Sequence, residues 1–517
     1  MMLTYQNPVR RGMYPDPSIV RVEDTFYMVN STFEYYPGVA LARSKDLINW
    51  EELPGIATKP EQADLRHSKS NEGIFAATIR YHEGHFYVVT TNFAEFRTFI
   101  LKGTLVGDQI KWEDSRVEVD VPGIDPDLFF EDGRTYLQFT GYIDDKGTKA
   151  IRQVEINLST GEILDGPKIL TYGTGGRDVE GPHILKKDGN YYLLVAEGGT
   201  GQGHMITIFK GPSVWGPFED EPGVNPLFTN RDRAEMSLQN VGHSDLFTDA
   251  RGNWWLTCLA TRPAAVGFSQ ITNIGRESLL YPVTWDGTWP KIYNGRPEET
   301  VDLSNYPKHA ELLPTHQESS HFEDNFEKGL ANGWLTLRDG LGDDLIVSNN
   351  QLVLHGRTIS LAELGTPTFL GLRQAEHHES LTLTLDPDQS DLSTGSLGLM
   401  TVINVDHYAG VMLEQANDGG VDVYRDQQVA DIKVHRLMGH LAGLPRTLTV
   451  TSTNATKVYE AVLGEQKVSF EVAAINLSNE ALAALNTGDL QGPYVTNGAT
   501  MVLDSVVRNP LGEENDG

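Results

Sequence analysis

DPDLFFEDGRTYLQF, residues 125–139, reads as a short apolar strand, a polar turn built on Asp-Gly, and a second strand carrying an aromatic residue. The same pattern recurs as DPSIVRVEDTFYMV from Asp16, FAATIRYHEGHFYVV from Phe75, EGPHILKKDGNYYLLV from Glu180 and HSDLFTDARGNWWLTC from His243. Aligned aromatic positions are Tyr27, Tyr87, Tyr136, Tyr192 and Trp255, separated by 60, 49, 56 and 63 residues. A single hairpin cannot bury both of its faces, so hairpins at this period imply sheets stacked radially. Each interval has room for about four strands, the size of a propeller blade. Trp50, Trp112 and Trp215 follow the hairpins where later strands of a blade should lie, with Trp285 as a late echo. A β-sandwich with coincidental hairpins would not explain five copies.

After residue 300 the texture changes. Residues 301–320 carry turn formers and charges with little periodicity, as a linker does. From His321 onward come alternating segments such as SLTLTLDP, GVDVYRD, RTLTVTS and KVSFEVA, with frequent turns between them. The expectation is an all-β chain. Residues 1–300 form a five-bladed β-propeller, 301–320 a linker, and 321–517 an antiparallel β-sandwich of jelly-roll or lectin-like kind. A helical turn or two is expected at 479–486, and the final EENDG is expected to be a disordered tail.

The 517 residues exceed what one core supports, in keeping with two domains. The formal net charge is −30, from 71 acidic and 41 basic residues. Such a surface repels phosphate backbones and anionic lipid, so nucleic acid and membranes are poor partners, whereas a neutral sugar is compatible. No apolar stretch is long enough to span a bilayer. The N-terminus lacks the basic start and apolar core of a secretory signal. Cys258 is the lone cysteine, which excludes an internal disulfide framework and cysteine-based zinc sites. A cytoplasmic enzyme is the simplest expectation.

In a propeller the first strand of each blade lines the central channel, so equivalent positions face one another there. The unit starts are Asp16, the Phe75–Ala76 region, Asp125, Glu180 and His243, three of them carboxylates followed by Pro17, Pro126 and Gly181-Pro182. A residue before proline is expected to be extended. One aspartate before proline is commonly a turn former. Three carboxylates converging on one axis suit glycosidic cleavage instead, where one acid protonates the leaving oxygen and one carboxylate activates water or attacks the sugar. A third raises the acid's pKa by like-charge repulsion. A calcium site of oxygen ligands is the alternative for the trio, but the spacing of a loop-type site is absent.

These segments resemble glycoside hydrolase family 43, in its two-domain β-xylosidase and α-L-arabinofuranosidase branch. The matching stretches include NPVRRGMYPDPSIV, STFEYYPGVALARSKDLINW, GIDPDLFFEDG, VEGPHILKKDGNYYLL, QNVGHSDLF and NIGRESLLYPVTW, spread over residues 6–290. DNFEKGLANGWLTLR and TFLGLRQ look like the sandwich appended to this branch. The resemblance implies that Asp16 is the general base, Asp125 tunes and orients the acid, and Glu180 is the general acid, in a single displacement with inversion. It implies that Arg276 and Phe33 contact the terminal sugar, with Phe75, Gln239 and Asn240 as further substrate-binding positions. His243 resembles a channel histidine that in some relatives binds a central calcium, directly or through water; no other cofactor is implied. Phe75-Ala76-Ala77 stands where many relatives have Trp-Ala-Pro, and Pro15 replaces a small residue before the catalytic aspartate, so sugar preference does not transfer. The function expected is an exo-acting β-1,4-xylosidase on xylo-oligosaccharides. An α-L-arabinofuranosidase is second, and a non-catalytic sugar-binding propeller is the reading from another class. A fructan hydrolase fits less well, since the motif that opens that family is missing. The sandwich is expected to close one side of the pocket, with Gly492-Pro493-Tyr494 as the candidate turn, and a homo-oligomer is compatible with the resemblance.

Overall fold

Each polar turn of the repeat closes an antiparallel hairpin in the computed structural model of the chain, which describes residues 2–484 and 487–512. Blade I contains Ser18–Val22, Thr25–Asn30, Ala40–Ser44 and Glu51–Leu53. Blade II contains Thr78–His82, His85–Asn92, Arg97–Val106 and Gln109–Trp112, with Val117–Val119 added along the third strand. Blade III runs from Gly123–Glu131 to Ile163–Thr171 as four strands. Blade IV has three, Glu180–Lys187, Asn190–Glu197 and Met205–Gly211, and single bridges to Glu219 and Phe228 stand in for the expected fourth. Blade V comprises Gln239–Thr248, Trp254–Thr261, Arg276–Asp286 and Trp289–Ile292. The first strands of blades I to V touch in sequence and the fifth touches the first, so the ring is closed.

The expected linker is partly structured. Thr300–Asp302 straddles the expected boundary and pairs with Thr4–Gln6, joining the two ends of the propeller. Pro307–Ala310 then forms one helical turn that buries His309 and Ala310. Beyond it, one sandwich sheet orders Leu345–Ser348, Gln351–His355, Thr500–Pro510, Glu379–Leu385, Thr447–Ser452, Thr456–Leu463 and Gln466–Ala473. The other orders Thr368–Phe369, Leu490–Val495, Leu397–Asn404, His407–Gln415, Val421–Val429 and Ile432–Leu441. Between them lies a core of alternate residues such as Leu381, Leu383, Leu448, Val450 and Leu503, as period-two alternation requires. The Gly492–Tyr494 segment expected at the pocket is instead the buried interior of Leu490–Val495. The helix expected at 479–486 is the single turn Asn479–Leu482; Leu485, Asn486 and the EENDG tail lie outside the described residues.

The two domains share hydrogen-bonded and apolar contacts. Tyr35–Tyr36 of the propeller pairs with Thr336–Leu337 of the sandwich. Met13 and Tyr35 pack in one cluster with Leu335, Phe369 and Leu490. Arg338, 2% exposed, donates to Ser68 O at 2.7 Å, and Arg373 donates to Met13 O at 2.7 Å.

Candidate active site

Strand register fixes which residues are equivalent between blades. Tyr27, Tyr87, Tyr136, Tyr192 and Trp255 lie opposite Val20, Arg80, Phe129, Leu185 and Phe247. Four residues earlier come Asp16, Ala76, Asp125, Gly181 and His243. Glu180 therefore does not share the tier of the two aspartates, as the unit starts suggest; it stands one residue earlier, level with Phe75 and Ile124. The register shifts between Ile124 and Asp127, and again between Glu180 and His183, mark bulges of Asp125-Pro126 and Gly181-Pro182. The extended backbone expected before proline is also corrected. Asp16 and Asp125 have φ of 53° and 51°, in the left-handed region, as do Gly181 at 57° and His243 at 41°. The bulge turns the chain there, and backbone in this region costs of order 1–3 kcal/mol for a non-glycine residue, a cost typical of functional sites.

The two tiers meet in one cavity of about 230 Å³, lined by Asp16, Asp125, Glu180, Phe33, Phe75, His243 and Arg276 among others. Asp16 is 5% exposed. Ser31 Oγ donates to its Oδ2 at 2.5 Å, Arg276 Nη1 donates to its Oδ1 at 3.1 Å, and His243 Nδ1 lies 3.7 Å from Oδ1. Burial pushes this carboxyl up, but Arg276, His243 and the Ser31 hydroxyl outweigh it and hold the pKa below the ordinary value. Asp125 is pushed well above its ordinary value by burial and by the charges of Glu180 and Asp16. Gly181 N donates to its Oδ2 at 3.2 Å. Glu180 is raised by burial, against the direct ion pair that Lys149 makes with it, and by the charges of Asp178 and Asp16. One carboxylate thus stays ionised while the other two hold protons more tightly.

Phe33, Phe75 and Phe93 form an aromatic wall. Phe75 stacks on Phe93 at 4.4 Å and meets Phe33 edge-on at 5.7 Å. The Arg276 guanidinium lies 5.6 Å from the Phe33 ring and donates to Thr200 Oγ1 at 3.2 Å. Gln239 and Asn240 do not line this cavity; they line a second one beside it. Lys149, Asp178, Phe93, Thr200 and His204 belong to the site and escaped the sequence reading. None starts a repeat unit, and only the Gly-rich stretch around Thr200 gave a local signal.

His243 and His204 are both lowered to about 4, chiefly by burial, and are neutral at pH 7. Below the carboxylates the channel holds a guanidinium. Arg80 donates to Asp245 Oδ2 at 2.7 Å, Asp127 Oδ2 at 2.8 Å and Ser18 Oγ at 3.3 Å, and lies 3.1 Å from His183 Nδ1. The acidic groups that a central cation would use are committed to this side chain. Among the described residues no cluster of three His, Cys, Asp or Glu side chains is arranged to hold a metal.

Residues 5–290 match the glycosyl hydrolases family 43, and residues 323–497 match the β-xylosidase C-terminal concanavalin A-like domain. The chain belongs to glycosyl hydrolase family 43. A non-reducing end α-L-arabinofuranosidase of Bacteroides ovatus is 31% identical over 501 residues, covering 95% of this chain and 91% of its own. A xylosidase/arabinosidase of Butyrivibrio fibrisolvens is 36% identical over 393 residues, 73% of each chain. Among solved structures, a family 43 protein from the xyloglucan utilisation locus of Bacteroides ovatus superposes with a TM-score of 0.86 at 29% identity, over 98% of this chain and all of that one. A xylan β-1,4-xylosidase of Bacillus halodurans also gives 0.86, at 25% identity, over 98% and 99%. As a family 43 member the chain is an exo-acting glycosidase with an all-β, propeller-plus-sandwich fold. No helix among its described residues is long and apolar enough to cross a membrane.

Proposed function

We propose that the chain releases terminal pentose from plant-type oligosaccharides with inversion, β-1,4-linked xylose being the leading substrate. The observation that carries this is the split within the trio. Asp16 is kept ionised by Arg276 and Ser31, in the same cavity where Asp125 and Glu180 are pushed towards the protonated form. Asp16 takes a proton from a water molecule as the oxygen of that water bonds to the anomeric carbon. Glu180 gives its proton to the glycosidic oxygen as that bond breaks. Asp125 fixes the bulge beside Glu180 by accepting from Gly181 N, and the charges of Asp178 and Asp16 favour the proton on Glu180. Lys149 also touches Asp178 Oδ1 at 3.2 Å, so an ammonium that moves towards Asp178 leaves Glu180 free to protonate. Arg80 supplies positive charge on the axis of the channel, against Asp127 and Asp245.

The second reading, an α-L-arabinofuranosidase, is favoured by the Bacteroides ovatus relative of that name, which spans 95% of this chain. Initial rates on aryl β-D-xyloside and aryl α-L-arabinofuranoside decide between the two pentoses. Proton NMR of the first-formed sugar decides the stereochemistry: the opposite anomer is expected, and the retained anomer would remove Asp16 as a base acting on water.

A further inference from the structure

Glu197, the last residue of Asn190–Glu197 in blade IV, is 0% exposed. Its carboxyl group is surrounded by neutral donors. Thr174 N reaches Oε1 at 2.9 Å and Oε2 at 3.0 Å, and Gly176 N donates to Oε2 at 3.0 Å. Thr174 Oγ1 donates to Oε2 at 3.1 Å and Thr207 Oγ1 to Oε1 at 2.7 Å. Apart from Thr207, these donors belong to residues 173–178, which lie between the last strand of blade III and Glu180. The segment wraps the carboxyl closely. A Cβ on Gly173 would stand 2.7 Å from Oε2, and one on Gly176 2.9 Å from it. Glycine permits that approach.

A carboxyl buried among neutral donors costs more desolvation than a neutral side chain would, and what it fastens lies at the catalytic cavity. The held segment runs into Asp178, two residues before Glu180. Asp178 Oδ1 lies 3.2 Å from Lys149 Nζ, the ammonium that also pairs with Glu180, and Asp178 Oδ2 accepts from Arg177 Nε at 2.6 Å. Beyond Glu197 the chain enters Gly198-Gly199-Thr200. Gly198 N donates to Arg177 O at 2.5 Å, and Thr200 Oγ1 accepts from Arg276 Nη1 at 3.2 Å. Two segments that line the cavity therefore meet at this one side chain. We propose that Glu197 is a positioning residue for the general acid, its carboxyl locking residues 173–178 so that Asp178 stays beside Lys149 and Glu180. The proposal rests on the reading of Glu180 as that acid. Glu180 faces Lys149, Asp178, Asp16 and Asp125. Asp178 raises it by like charge and also holds the Lys149 ammonium. A segment that lets Asp178 swing away leaves Lys149 to Glu180 alone, and the pKa of Glu180 falls.

Rates across pH on a pentoside with a poor leaving group test this. Glu197→Gln keeps the shape but puts a donor where the segment needs an acceptor. The alkaline limb of kcat/KM should move down by about 0.5–1 pH unit, and kcat should fall about tenfold. Gly176→Ala, which crowds Oε2 from the segment's side, should move the limb the same way by less. Asp178→Asn should reproduce the shift, and Glu197→Gln added to it should give no further one. Melting curves fix a temperature at which each variant is folded. A limb that stays in place there in Glu197→Gln and Gly176→Ala overturns the proposal, as does an undiminished further shift in the double variant. Should Glu197→Gln fail to fold, Gly176→Ala alone and combined with Asp178→Asn decides by the same criteria. A pentoside whose leaving group needs no proton is the control, and on it wild-type protein should lose the alkaline limb. If it does, while the variants leave the limb unmoved on the poor substrate, only the role of Glu197 falls. If wild type keeps the limb, Glu180 is not the acid, and both readings fall together.

Discussion

Asp16 is buried yet charged because neighbours replace the water it lost, and each of them can be removed separately. Arg276 Nη1, at 3.1 Å, is the nearest cation. Arg276→Met should therefore let the carboxyl rise, and the acid limb of kcat/KM, which reports the base losing its charge, should move to higher pH while the maximum falls. A limb that stays in place would take Arg276 out of this role. Lys149 acts on Glu180 in the same direction. Its ion pair lowers the carboxyl's pKa, so Lys149→Met should raise it. A general acid works only below its own pKa, so the alkaline limb should move to higher pH as well. A downward shift of that limb would show that Lys149 itself carries the reacting proton.

At the scale of the strand, the Gly181 bulge places Glu180. Its φ is 57°, and a Cβ there would stand 3.0 Å from His243 Cε1 and 3.1 Å from Nδ1. Gly181→Ala should cost about 1–2 kcal/mol for the left-handed backbone alone. Because the Gly181 N–H also holds Asp125, kcat should fall at least about tenfold, more than the lost stability accounts for. Thermal melts beside rates at a temperature well below the transition separate the two effects. The same bulge explains how far the sequence could be read. Hairpins, blade count and sandwich were legible because period-two alternation and turn residues are local. Asp16, Asp125 and Glu180 were found because each stands beside a proline or a Gly-Pro at the start of a unit. The one-residue offset of Glu180 was not legible, since a bulge changes register without changing composition. Lys149 and Phe93 were not legible either, because they reach the cavity from positions outside the repeat's start, and only the closed ring brings them there.

At the scale of the molecule, two devices hold the site: an ion cluster on the axis and the sandwich at the flank. Arg80 sits among Asp127, Asp245 and His183, and both aspartates are nearly inaccessible. Arg80→Met should cost about 3–5 kcal/mol, because it leaves buried charges without a partner; a denaturant midpoint near wild type would contradict that. The sandwich grips the loop that leads into Arg276. Asn273, 3% exposed, donates from Nδ2 to Ala474 O at 2.9 Å and Leu477 O at 2.6 Å, and its own carbonyl accepts from Asp489 N at 2.7 Å. Asn273→Ala removes the two side-chain bonds and leaves buried carbonyls unpaired, a cost of about 1–3 kcal/mol. The loss is felt three residues before the arginine that holds Asp16, where a displacement of about 1 Å is worth up to 100-fold in rate. If the sandwich positions the site, kcat/KM should fall about tenfold at temperatures where the variant is fully folded. If it only adds stability, the melting temperature should fall while kcat/KM below the transition stays at the wild-type value.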